Sequence, residues 1–162
     1  MLDRLEQANI CLKLPKCTFC ADTVEYLSHV VSDKGVLPNP KKVERLQNMT
    51  PPVNVSEVRS FLGLAGYYCR FVHNFAEITS PITQLLKVDH KFVWTEQCQL
   101  AFDSIKTLLT TVQVLAYSDF TKLFVLDPDG CDHSIGADFS QYDEQGIKHP
   151  ITYFSCTLLL RE

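Results

Sequence analysis

The sequence predicts an α+β protein in three parts: a short N-terminal β-hairpin unit over residues 1–37, a helical segment over 38–90, and over 91–162 a further helix followed by a three-stranded antiparallel meander. Three observations carry this. Residues 54–87 hold the longest run of one three-and-four apolar period, residues 95–109 repeat that period, and the chain then alternates with a period of two between clusters of turn residues.

At the N-terminus Leu2, Leu5 and Ala8 have the spacing of a helix tail that starts without a cap, as if within a larger unit. Pro15 ends it. Residues 17–19 and 24–31 are then expected as short strands separated by 21–23, with a turn at 33–35. Asn39 and Pro40 form a cap and first-turn pair for a short helix. Its Val43 and Leu46 face inward, while Lys41, Lys42 and Arg45 share the outer side, which on composition alone is a solvated surface.

In the central run Val58, Phe61, Leu62, Ala65 and Tyr68 fall on one helical face, and Glu57, Arg59 and Ser60 fall off it. Pro51 and Pro52 stop any preceding helix, and Asn54 with Glu57 resembles a capping box, so the helix is expected to begin near Asn54. Gly63 and Gly66 lie inside it although each costs about 1 kcal/mol relative to alanine, which predicts that a close helix or passing backbone takes the space. Ser80 and Pro81 read as the cap and first turn of a second helix with Ile82, Leu85 and Leu86 inward, completing a helical hairpin.

Thr95 is expected to cap the next helix, with Cys98, Ala101, Phe102, Ile105, Leu108 and Leu109 inward and Trp94 stapling its start. Strands are expected at 123–126, 135–141 and 149–155, separated by turn-rich 127–132 and 143–146. On the middle strand Ile135, Ala137 and Phe139 point to one face, and Gly136, Asp138 and Ser140 to the other.

A chain of 162 residues has room for one ordinary domain or two small ones, and 46% apolar content is that of a globular protein rather than a disordered one. No apolar run approaches the ~20 residues of a membrane span, and residues 1–14 carry Asp3, Arg4 and Glu6 where a secretory leader needs an apolar core. The expectation is a soluble, intracellular protein, in cytoplasm or nucleus. Seven scattered cysteines fit reduced thiols; Cys17 and Cys20 form one CxxC, but no second ligand pair lies near, so two strand thiols are expected rather than zinc. The net charge of −4 hides an excess of four positive charges over residues 34–91 and of six negative charges over 92–162.

The string RSFLGLAGYYCRF, residues 59–71, closely resembles the region just after the polymerase palm in reverse transcriptases of the Ty3/gypsy retrotransposon class. The resemblance continues through KCTF (16–19), VEYLSHVVSDKG (24–35), PNPKKVE (38–44), FVWTEQCQLAF (92–102), FVLDPDG (124–130) and SIGADFSQ (134–141), in the family's order. It implies that residues 1–37 end the palm, that 38–90 are thumb-like, and that 91–162 hold a connection helix and a truncated ribonuclease H-like domain. Because the thumb holds a primer-template duplex by its phosphates, Lys41, Lys42, Arg45, Arg59 and Arg70 become the expected nucleic-acid contacts. Leu27, Ser28 and His29 stand where the family has Leu-Gly-His, a hairpin resembling the primer grip; Ser28 would be strained wherever the backbone needs the freedom of glycine. His29 also has the plainer reading of a partly exposed strand histidine. Tyr67, Tyr68 and Phe71 have a spacing that suits stacking on nucleic acid, but helical periodicity favours the core.

Nucleotide addition and ribonuclease H cleavage both use paired divalent ions, Mg²⁺ in the family, held by several carboxylates. The family's polymerase aspartates lie before residue 1, and no Asp-Asp pair occurs here. On the nuclease side, where the family reads Thr-Asp-Ala-Ser, this chain has Pro128, Asp129, Gly130 and Cys131, so Asp129 alone matches as a catalytic residue and weak metal ligand. The family's next glutamate would lie beyond Glu162, and Asp127, Asp132 and Asp138 match no catalytic position, Asp127 and Asp132 being ordinary acidic turn residues. The expectation is a fragment or remnant of a retrotransposon RNA-directed DNA polymerase and ribonuclease H, inactive alone, binding no cofactor. Its expected partners are RNA–DNA or DNA duplex, held weakly and without sequence preference, and the remaining polyprotein domains, with no membrane. The alternative is a host-adopted interaction module without nucleic-acid binding, which departures such as Met49, Pro128, Cys131 and Asp138 would fit. Asp138 stands at a position that is apolar in the family, under helices that follow the meander, and is expected here to be solvent-exposed on an uncovered face.

Overall fold

The strongly periodic segments become the helices that carry the core. The computed structural model describes residues 2–87, 91–131 and 134–158. Helix α1 spans Leu2–Gln7 and buries nothing. Strands β1 (Thr23–Tyr26), β2 (His29–Ser32) and β3 (Gly35–Pro38) form an antiparallel sheet in that order. Helices α2 (Pro40–Gln47), α3 (Val55–Gly66), α4 (Phe75–Gln84) and α5 (Glu96–Thr110) follow. A second antiparallel sheet, ordered β4-β5-β6, is built from Val125–Gly130, Ser134–Tyr142 and Lys148–Thr157.

Capping fixes the starts of α3 and α5 where the sequence places them. Asn54 accepts the Glu57 backbone N–H at 2.9 Å, and the Glu57 carboxylate returns to the Val53 N–H at 2.9 Å. Thr95 Oγ1 accepts the Cys98 N–H at 3.3 Å, while Trp94 packs edge-on against Phe102 and donates Nε1–H to Gln99. Val58, Phe61, Ala65 and Tyr68 are all buried to 1% exposure or less, and Phe61 meets Phe102 with ring centroids 4.7 Å apart. Leu46, Ile82, Ile105, Leu109 and Leu115 complete one core that spans both helical segments. Leu108, expected inward, is partly exposed; Leu109 takes the buried position.

Four expectations are corrected. Helix α4 begins at Phe75, so Pro81 lies inside it rather than at its first turn. The lost backbone bond at Pro81 is offset by burial of Thr79 and Ile82, and the first turn is anchored on the sheet through the Ala76 N–H and Ser155 Oγ, 2.9 Å apart. Residues 17–19 form no strand, and the N-terminal unit is a three-stranded sheet rather than a hairpin, because β3 pairs with β2 along its length, from Gly35 opposite Ser32 to Pro38 opposite His29. Val36 also exchanges two backbone bonds with Leu115, at 2.9 and 3.0 Å. Strand β4 continues through Asp127, Pro128 and Asp129, which pair with Asp138, Ala137 and Gly136. A proline is tolerated there because β4 is an edge strand.

The fourth correction concerns the sheet faces. Pairing puts Gly136, Asp138 and Ser140 on one face with Asp129, Tyr153 and Ser155. That polar face is covered, by residues 70–76 and α4, while Ile135 and Phe154 on the opposite face are exposed. Asp138 is consequently only 26% exposed at its side chain, and its Oδ1 lies 2.6 Å from His73 Nδ1. The pair stands half in solvent, so Asp138→Val is expected to cost about 1 kcal/mol in urea unfolding, and the effect should vanish in a His73→Phe background. An unchanged midpoint in the single mutant would show the pair to be idle.

Candidate nucleic-acid interface

Helix α3 has one packed face and one open face. Opposite Val58, Phe61 and Ala65 lie Ser56, Arg59, Ser60, Gly63 and, at its C-cap, Tyr67, all exposed. A Cβ at Gly63 or Gly66 would meet no heavy atom within 4 Å, so the packing expected around the two glycines is not supplied by the described residues. Their face is smooth backbone.

The predicted basic contacts divide into two groups. Lys41, Lys42 and Arg45 stand exposed on α2, and Arg59 on α3. Lys41 Nζ lies 3.7 Å from Glu25, an exposed pair of small worth. Arg70 is instead directed to the C-terminal sheet, donating Nη2 to Ile151 O at 3.5 Å and lying 5.9 Å over the Phe71 ring.

The Leu27-Ser28-His29 tip turns between β1 and β2. Leu27 (φ 44°) and Ser28 (φ 58°) both occupy the left-handed region, so the strain anticipated for serine in a glycine position is real. Tyr67 and Tyr68 donate their hydroxyls to Leu27 O at 2.6 Å and Ser28 O at 2.9 Å. The His29 ring lies 5.4 to 5.8 Å from the rings of Tyr67, Tyr68 and Phe71, and its Nε2 is buried with no partner among the described residues. Tyr68 and Phe71 are core, as helical spacing predicts, while Tyr67 is half exposed. Burial, with Tyr67 beside it, holds the Tyr68 phenol above the usual range.

Asp129 is exposed on β4, where its carboxylate accepts from Asn74 Nδ2 at 3.0 Å. Gly136 permits that approach, since a Cβ there would lie 2.4 Å from Asn74 Oδ1. Glu77 and Asp129 line one pocket of about 170 Å³, whose remaining walls include Asn74, Ser134 and Gly136. Asp127 is engaged by Lys148, whose ammonium it holds above the usual range, and Asp138 by His73; Asp132 lies outside the described residues. Among the described residues no group of three His, Cys, Asp or Glu gathers to hold a metal, so they do not fit the two-ion centre that the resemblance implies.

A capped helix leading into a three-stranded antiparallel meander, with a carboxylate on its first strand and a helical hairpin ahead, is the architecture of an RNase H-like unit joined to part of a reverse transcriptase. Residues 94–162 match the RNase H-like domain found in reverse transcriptase. Over 94% of its length the chain is 36% identical to the retrovirus-related Pol polyprotein from transposon 412 of Drosophila melanogaster, and over 96% it is 38% identical to that from transposon 297. It is 30% identical over 98% of its length to the transposon Tf2-3 polyprotein of Schizosaccharomyces pombe. The chain spans 12% to 14% of the length of these relatives. In fold it is similar to the foamy viral protease-reverse transcriptase in complex with dsDNA (TM-score 0.76, 23% identity, 91% of this chain and 31% of that one). The RNA/DNA hybrid complex of the foamy viral enzyme is similar too (TM-score 0.75, 24% identity, 98% of this chain and 22% of that one). The chain is thus a relative of retrotransposon Pol polyproteins, corresponding to a reverse-transcriptase segment with an RNase H-like domain. Among the described residues no helix is long and apolar enough to cross a membrane.

Proposed function

We propose that this chain is a duplex-binding segment of a retrotransposon reverse transcriptase, with the thumb-like helices as the contact surface and the RNase H-like sheet as their support. The observation that carries the reading is the open face of α3: Ser56, Ser60, Gly63 and Gly66 leave the helix smooth enough for a sugar-phosphate backbone to lie against it. Arg59 on that face and Lys41, Lys42 and Arg45 on α2 supply cations for phosphates. The foamy viral enzymes of the same fold, described as complexes with dsDNA and with RNA/DNA hybrid, support this partner class. RNA-directed DNA polymerisation and ribonuclease H cleavage are activities proposed for the longer polyprotein; the chain alone binds and does not catalyse.

Fluorescence anisotropy with a mixed-sequence RNA–DNA hybrid tests it. Binding should be weak, indifferent to sequence, and should fall linearly on a log–log salt plot. Lys42→Glu with Arg45→Glu should lower affinity at least about tenfold and flatten the salt slope by about 2, one for each lost phosphate contact. A double mutant that binds as the wild type does would mean that the basic face is merely solvated, and would favour the reading of the chain as a protein-interaction module. Hybrid cleavage in Mg²⁺ that Asp129→Asn abolishes would overturn the binding-only reading.

A further inference from the structure

Two consecutive carbonyls at the tip of the β1–β2 hairpin receive four donors. Leu27 O accepts the Tyr67 hydroxyl at 2.6 Å and His29 Nδ1 at 2.7 Å; a carbonyl can only accept, so His29 carries a proton on Nδ1. Ser28 O accepts the Tyr68 hydroxyl at 2.9 Å and the Asn39 backbone N–H at 3.1 Å. Both carbonyls have filled their two lone pairs. The turn between them needs that support. A two-residue turn with both φ values positive is the province of Asn-Gly or Gly-Gly, and here it is built from leucine and serine at 44° and 58°.

We infer that Tyr67 and Tyr68 are positioning residues: their hydroxyls hold the Leu27–Ser28 turn in a shape its own sequence disfavours, and so register the hairpin tip, α2 and the open face of α3 as one surface. The inference rests on the duplex-binding reading for its ligand, and on geometry for the clamp. Tyr67 lies one helical turn beyond Gly63, at the end of the open face, so the exposed Leu27 is held beside that face. Asn39, whose N–H meets Ser28 O, is the N-cap of α2 and accepts the Lys41 N–H on its side chain at 3.0 Å. One backbone carbonyl therefore joins the hairpin to the helix that carries Lys41, Lys42 and Arg45. Arg59 comes with α3 itself.

The test compares Tyr67→Phe/Tyr68→Phe, which keeps both rings and removes both hydroxyls, with the same pair in a Ser28→Gly background. Glycine adopts positive φ without help, so it should make the hydroxyls dispensable. Amide exchange is read at Val30, Val31 and Asn39, and anisotropy with the RNA–DNA hybrid is read in parallel. The double mutant should exchange these amides about tenfold faster and bind the hybrid several-fold more weakly, with α5 amides unchanged. Ser28→Gly should restore most of both losses. Unchanged hairpin exchange, or exchange that Ser28→Gly does not restore, overturns the clamp. Restored exchange without restored binding overturns the registration. A wild-type chain that binds no duplex sinks the duplex reading and the registration with it, while the exchange data still decide the clamp. If the double mutant fails to fold, Tyr67→Phe alone, whose ring is half exposed, gives the same comparison.

Discussion

Gly35→Ala is expected to destabilise the protein by about 3 kcal/mol or more, lowering the melting temperature by about 10 °C. Two independent effects converge there. Gly35 sits at φ 134°, outside the range that residues with a side chain ordinarily adopt, and an added Cβ would lie 2.2 Å from Leu115 O and 2.8 Å from Val114 Cγ1. The first of those atoms is backbone, held by the paired bonds between Val36 and Leu115, so it cannot move aside without breaking the link between β3 and the segment after α5. Tyr117, which donates its hydroxyl to Ser32 O at 2.6 Å, and Ala116, whose N–H meets Pro150 O at 2.8 Å, belong to the same segment and would be displaced with it. Urea unfolding of Gly35→Ala beside Gly146→Ala distinguishes the effects. Gly146 also has positive φ but would meet nothing within 4 Å, so only the backbone penalty of about 1 kcal/mol should appear there. Equal losses at the two positions would show that the close approach to Leu115 is unimportant.

Phe102→Ala should cost about 3–5 kcal/mol. Phe102 is 1% exposed, packs on Phe61 at 4.7 Å and on Trp94 at 6.0 Å, and carries the Lys106 ammonium 4.8 Å over its face. Removing the ring leaves a void between α3 and α5 and releases Lys106, whose Nζ otherwise reaches Met49 O at 2.9 Å. Phe102→Leu, which keeps most of the volume, should cost markedly less. Near-equal losses for alanine and leucine would place the effect in the aromatic contacts rather than in the void.

The helices were legible because their signals are local: Asn54 and Glu57, Thr95 and Trp94, and the three-and-four spacing of residues that meet one core. The meander was legible for the same reason, through alternation between turn clusters. What the sequence concealed lies in pairs of distant residues. The bridge from Val36 to Leu115, the anchoring of the first turn of α4 on Ser155 and the shelter of Asp138 by His73 each join residues far apart in the chain. Asp138 looked misplaced because the covering helices were sought after the meander, whereas the cover comes from residues 70–76 before it. At the hairpin tip, Ser28 in a glycine position gave the one local warning of strain; the two tyrosine hydroxyls that meet it come from 40 positions away, beyond any periodic signal.

The link between β3 and Leu115 also bears on synthesis. The Tyr117 hydroxyl reaches Ser32 across 85 positions, and at ribosomal speeds of about 5–20 residues per second those residues emerge some 4–17 s apart. For that interval β3 is an open edge on a nascent sheet, able to pair with another strand. The β3 edge therefore stays unfilled until residue 115 has been made, and a stalled or cleaved product ending before residue 115 would leave the ribosome with that edge open.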